Sequence, residues 1–219
     1  MLKVGIFGGA FNPIHYGHLR AAEEVRERLE FDKILFIPSG NPPLKTKDLA
    51  EAVHRYKMTR LAIFTNRLFE LSDIECRPSG KSYTVKTVEE LKKNNPEIEF
   101  SFILGIDAFL DIINWWHPGR LFTLTNFVII SRPEFRFVDL HASPYIKINR
   151  RILKSLDNAE IETYTIKLKG SRYATLLRLT PIGISATVIR RLIRENKSIK
   201  YLLPAEVESY IIANKLYKS

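Results

Sequence analysis

Two histidines three residues apart, His15 and His18, follow a Gly-Gly pair, Gly8 and Gly9, in the stretch "GIFGGAFNPIHYGHLRAAEEV". An imidazole donates hydrogen bonds to phosphate oxygens whether neutral or protonated. Residues i and i+3 in a first helical turn can face one ligand. Glycines without a Cβ let a large ligand approach the backbone, and a helix start offers unpaired N–H groups and a partial positive charge. A tight turn with two ordinary polar histidines has the same spacing, so the local pattern leaves both readings open. It is neither a Walker loop nor GxGxxG, which disfavours dehydrogenase-type dinucleotide binding.

A second stretch, "GISATVIRRLI" (183–193), places Ser185 and Thr187 at a helix start, where hydroxyls cap free N–H groups. Arg190 stands three residues after Thr187, on the same exposed face, with Ala186, Ile189 and Ile193 on the buried one. Hydroxyls, helix N–H groups and a guanidinium together suit a polyphosphate. Taken alone, a capped surface helix with incidental arginines explains this stretch better.

The elements that must position these residues alternate. Apolar runs predict buried strands at 2–7, 33–38, 69–74, 99–105 and 126–131. Between them, periodicity predicts helices at 17–30, 50–65 and 84–94 and short helices at 107–114 and 119–124. In the 133–180 segment the reading is a helix near 145–156 and strands near 161–168 and 175–180, followed by helices at 187–195 and 205–215. The expected fold is α/β, a Rossmann-like doubly wound parallel sheet with helices on both faces and a small C-terminal helical region. One domain, 1–219, is expected, with 133–180 a basic segment and 183–219 carrying the second motif.

The chain has 219 residues, one cysteine and a net charge of +10. Most of that charge lies in the second half: residues 111–219 hold 18 Lys+Arg and 9 Asp+Glu, against 16 and 15 in residues 1–110. A basic half attracts anions of any kind. No apolar run approaches a membrane span, no signal peptide is visible and Cys76 has no disulfide partner, so a cytoplasmic protein is expected.

With HxGH (His15, Gly17, His18) after the first strand and ISxTxIR (Ile184 to Arg190) near the end, the chain resembles the nucleotidyltransferase superfamily. Its likeness is greatest to the bacterial nicotinate-mononucleotide adenylyltransferases. "SYTVKTVEEL", "GIDAFLDIINWW" and "YLLPAEVESYI" look like further blocks of that family in the right order. "SYT" and Gly105-x-Asp107 followed by Trp115 narrow the resemblance to the nicotinate branch. It implies that ATP and nicotinate mononucleotide react to deamido-NAD and pyrophosphate, with Mg²⁺ arriving on ATP and no metal held by the protein itself.

By the same resemblance, His15, His18 and Arg190 are the catalytic residues. Gly8, Gly9, Phe11, His15, His18, Lys45, Ser185, Thr187 and Arg190 hold ATP. Tyr83, Thr84, Asp107, Trp115 and Arg132 hold the mononucleotide. Two departures stand out: Leu44 precedes Lys45 where the family has His, and Glu134 follows Arg132-Pro133 where it has Gly. The chemistry needs no general base, because a phosphate monoester with a second pKa near ~6 is largely dianionic at neutral pH.

The alternatives are a nucleotidyltransferase for another small substrate, such as nicotinamide mononucleotide or pantetheine phosphate, and a basic nucleic-acid-binding protein. "SYT" and Trp115 argue against pantetheine phosphate and do not separate nicotinamide from nicotinate mononucleotide. Lys147, Arg150, Arg151, Lys154, Lys167, Lys169, Arg172 and Arg178 favour the second, which lacks any known nucleic-acid module. No membrane partner is expected.

Overall fold

The computed structural model describes residues 1–42, 48–77, 80–168 and 171–218. A seven-stranded sheet runs through them in the order β3-β2-β1-β4-β5-β7-β6. Its strands are β1 (Leu2–Gly9), β2 (Lys33–Pro38), β3 (Phe69–Leu71), β4 (Ile98–Gly105), β5 (Asn126–Ile130), β6 (Thr163–Lys167) and β7 (Tyr173–Leu177). Neighbours pair in parallel, except that β6 runs antiparallel to β7. The expected parallel sheet is present, and β6 adds one antiparallel strand at its edge. Only residues 168–172 join the two strands, and so short a connection can make a hairpin but no crossover.

The central strands read as unbroken apolar runs because both faces are covered. Val4, Ile6, Phe100, Phe102, Leu104, Phe127 and Ile129 enter one core, under α3 (Thr84–Asn94), α4 (Ile106–Leu110), α5 (Pro118–Leu124) and α6 (Arg150–Asp157). The alternate residues Phe7, Ile34, Phe36, Ile103, Val128 and Ile130 enter the other. That core lies under α1 (Tyr16–Arg28), α2 (Ala52–Ile63), α7 (Ala186–Arg194) and α8 (Ala205–Ala213). No helix among the described residues is long and apolar enough to cross a membrane.

The 133–180 segment departs most from expectation. A 3-10 turn over Phe137–Ala142 comes first, held at its start by Asp157, which accepts from the N–H groups of Phe137 (2.7 Å) and Val138 (3.1 Å). The helix expected from 145 begins only at Arg150, because Asn149 caps it by accepting from Arg151 N–H at 2.9 Å. Upstream, buried Ile146 and Ile148 alternate with exposed residues, a period of two that belongs to extended chain. Val53 on α2 and Phe64 just past its end face solvent, and the buried positions of α2 are Arg55, Met58, Thr59 and Ile63.

β1 pairs with both β2 and β4, so the strand order reverses across it. The carboxyl end of β1 is therefore the crevice where doubly wound sheets take their ligands.

Candidate active site

β1 does not break at its glycines. It runs through Gly9, and the chain turns at Phe11, which has φ 45° and is buried. A left-handed bulky residue is costly, and its ring is held there by Phe7, Phe36 and His18, with centroids 5.9, 5.8 and 5.3 Å away. The side-chain space missing at Gly8 faces the ring of Phe102 at 3.4 Å, and that at Gly9 faces Phe11 at 3.3 Å. Here the glycines accommodate aromatic packing beneath the turn.

His15 is the N-cap residue of α1 and His18 its third residue. Their rings lie 3.8 Å apart, centroid to centroid, tilted by 33°. Gly17 makes room for this: a Cβ on it would stand 3.0 Å from the His15 ring and 3.5 Å from the carbonyl oxygen of Ile184. The glycine of the first motif is thus the point where the second motif passes over it. His15 is only 3 % exposed, and its buried Nδ1 has no hydrogen-bond partner among the described residues. Burial, with the charge of Arg132 adding to it, lowers its pKa to about 3. The ring is neutral at physiological pH and offers a hydrogen bond, not a charge. One N–H at this helix start is already taken, since Tyr16 N–H donates to Leu202 O at 3.1 Å.

Arg190 projects from α7 back to the first turn. Its Nη1 donates to Asn12 O at 2.8 Å and its Nη2 lies 3.5 Å from Thr187 Oγ1, while buried Nε has no partner among the described residues. Ser185 is the N-cap of α7, but its hydroxyl makes no capping bond, contrary to the expectation of a capped start. Thr187 is exposed beside it.

Asp107, on the first turn of α4, does not cap that helix. Its Oδ1 lies 3.5 Å from Arg132 Nε, an ion pair with no hydrogen bond. Gly105 permits the approach, for a Cβ there would meet Asp107 Oδ1 and Arg132 Nε well inside contact distance. Arg132 follows β5 and opens a tight turn closed by Phe135 N–H on Arg132 O at 3.1 Å. Glu134 is not left-handed, so this turn does not need the family's glycine. Gly17, Ala21, Arg132, Pro133, Phe135 and Ile184 line part of an open cleft of about 450 Å³, a size that suits a small ligand.

Tyr83 and Thr84 stand at the start of α3, where the N–H groups of Thr84 and Val85 have no acceptor among the described residues. Tyr83 packs on Trp116 at 4.9 Å, with Lys86 Nζ 5.0 Å from the Trp116 ring. Trp115 instead sets its edge against Phe102 at 6.1 Å and packs on the core. Lys45 lies outside the described residues.

Arg55, on α2, is not among the site residues expected from the sequence. It is fully buried and donates to Ala50 O (2.8 Å), Ala10 O (2.9 Å) and Gly40 O (2.6 Å). It thereby ties the loops that follow β1 and β2. The position of an arginine on the inward face of α2, in register with Met58 and Thr59, was the available signal.

The basic residues that favoured nucleic acid are partly engaged: Arg178 donates to Glu162 at 3.1 Å and Arg172 to Thr123 O at 3.3 Å. Lys169 lies outside the described residues.

The cytidylyltransferase-like family model matches residues 6–192. A protein of Geotalea daltonii named "Probable nicotinate-nucleotide adenylyltransferase" is 41% identical over 99% of this chain and 98% of its own length. One of Syntrophotalea carbinolica with the same name is 39% identical over 100% and 98%. In fold, the chain is similar to a Plasmodium falciparum nicotinic acid mononucleotide adenylyltransferase complexed with NaAD. That likeness has a TM-score of 0.74 and 24% identity over 99% of this chain and 98% of that one.

Proposed function

The chain belongs to the cytidylyltransferase-like family, among its nicotinate-nucleotide adenylyltransferases, and from that footing we propose that it transfers the adenylyl group of ATP to nicotinate mononucleotide. The products are deamido-NAD and pyrophosphate, a step of NAD biosynthesis. The observation that carries the reading is the meeting of the two motifs: Ile184 O over Gly17, and Arg190 Nη1 on Asn12 O at 2.8 Å. Residues from both ends of the chain thus surround one spot at the carboxyl end of β1.

In this reading the mononucleotide phosphate attacks the α-phosphorus of ATP, and the bond to the β-phosphate oxygen breaks. No proton need be removed from a dianionic phosphate, so His15 and His18 are assigned as hydrogen-bond donors and not as bases. Positioning and charge neutralisation supply the catalysis. Arg190, Thr187 and Ser185 hold the β- and γ-phosphates, and the resemblance assigns Lys45 to a phosphate as well. Gly8, Gly9 and Phe11 line the nucleotide cleft through their backbone. Tyr83, Thr84 and Trp115 hold the pyridine ring. Asp107 and Arg132 stand between the two nucleotides.

Mg²⁺ enters as part of the nucleotide substrate. Among the described residues no group of three or more His, Cys, Asp or Glu side chains could hold a metal ion. Asp107, the carboxylate assigned to the cleft, faces Arg132. The proposal takes residues 1–219 as one domain, because α7 and α8 complete the core that α1 and α2 begin. Its setting is the cytoplasm, where ATP is abundant.

The test is a pyrophosphate-release assay with ATP and a panel of acceptors: nicotinate mononucleotide, nicotinamide mononucleotide and pantetheine phosphate. Turnover with the first is expected. Turnover with pantetheine phosphate alone, or with none, refutes the assignment.

A further inference from the structure

The C-terminal stretch beyond α8 belongs to neither motif, yet it reaches the first one. Tyr217 packs its ring against the core shared by α1, α2, α7 and α8. Its hydroxyl donates to Asn12 Oδ1 at 2.8 Å, across 205 residues of sequence. Asn12 is 7 % exposed, and its Nδ2, Oδ1 and main-chain carbonyl are all engaged. Its Nδ2 donates to Asp48 O at 2.6 Å, and its Oδ1 accepts a second bond from Ala50 N–H at 3.1 Å. Its main-chain carbonyl accepts from Arg190 Nη1.

We infer that Tyr217 is a positioning residue for ATP: by fixing the Asn12 side chain it fixes the carbonyl that anchors the Arg190 guanidinium. This rests on the adenylyltransferase reading of the site. An arginine side chain carries large rotamer entropy, and it grips phosphate well only when its fork is held in one place. Arg190 is held by that carbonyl and, weakly, by Thr187 at 3.5 Å. The Asn12 carbonyl is in turn held by the three side-chain bonds of its own residue. Removing one of these loosens the anchor while leaving the Arg190 charge in place. Burial raises the Tyr217 hydroxyl above the ordinary tyrosine range, and it faces Arg190 and Arg55. It is therefore a neutral donor throughout the working pH range.

The test is Tyr217→Phe, which keeps the ring and its packing and removes one oxygen. KM for ATP is expected to rise about fivefold, the scale of one neutral hydrogen bond. KM for nicotinate mononucleotide should stay at its original value, and Tm should fall by no more than the ~2–4 °C that one lost hydrogen bond costs. Calorimetric titration with an α,β-methylene analogue of ATP should show the same weakening of Kd. Unchanged ATP affinity in the variant overturns the inference, and so does a parallel rise of both KM values with Tm lowered beyond that range. If the unmodified chain binds the analogue but releases no pyrophosphate with any acceptor, the proposed reaction falls. The comparison of the two Kd values then still decides the role of Tyr217. Absence of analogue binding in the unmodified chain overturns both.

Discussion

Acidification should weaken this fold through one imidazole. His15 has a pKa of about 3 in the folded chain, against 6.5 for an unburied histidine. As pH falls below 6.5 the unfolded chain takes up a proton that the folded chain refuses. The stability contributed by the neutral ring is therefore full above pH 6.5 and lost progressively toward pH 3. At pH 5 the loss from this group is about 2 kcal/mol. That figure depends almost wholly on the unfolded value, because the folded pKa already lies far below 5. The assay is urea unfolding of the unmodified chain and of His15→Asn at pH 7.5, 6 and 5. Asparagine is a strong N-cap residue, and His15 occupies the N-cap of α1 without making a side-chain cap bond, so the variant should keep its helix. The unmodified chain should lose about 2 kcal/mol more than His15→Asn between pH 7.5 and 5. Parallel curves for the two proteins would show that His15 is not held neutral, and the desolvation argument would fail.

Arg190→Lys keeps the charge but loses the fork that reaches Asn12 O and Thr187, so kinetics with each substrate varied should show poorer use of ATP with little loss of mononucleotide affinity. Arg55→Met leaves the carbonyls of Ala50, Ala10 and Gly40 without their donor, and chemical denaturation should show a loss of about 3–5 kcal/mol. Nicotinate and nicotinamide have nearly one shape, so selectivity must come from donors such as the Thr84 and Val85 N–H groups at the α3 start. The kcat/KM of nicotinate mononucleotide should exceed that of the amide by about tenfold or more. Trp115→Ala should weaken both and leave their ratio in place.

Much of this protein is written locally. The order of the central strands and helices follows from apolar runs broken by Gly, Pro and Asn, because a strand buried on both faces has no other composition open to it. The two motifs are legible for the same reason: His15, Gly17 and His18 sit within one helical turn, as do Thr187 and Arg190, and local geometry alone turns each set to one side. The hairpin β6–β7 and the late start of α6 were obscured because their signals, a short connection and a two-residue alternation at Ile146 and Ile148, are weak against a helical prior.

What the sequence could not state is which distant pieces meet. No local period links Arg190 to Asn12, Arg55 to Gly40, Asp107 to Arg132 or Tyr217 to Asn12. Those pairings exist because β1 lies between β2 and β4, which brings the ends of three strands and two remote helices to one crevice. The charge state of His15 is of the same kind. An imidazole is neutral or charged according to the solvent it has lost and the guanidinium beside it, and only the packed chain sets both.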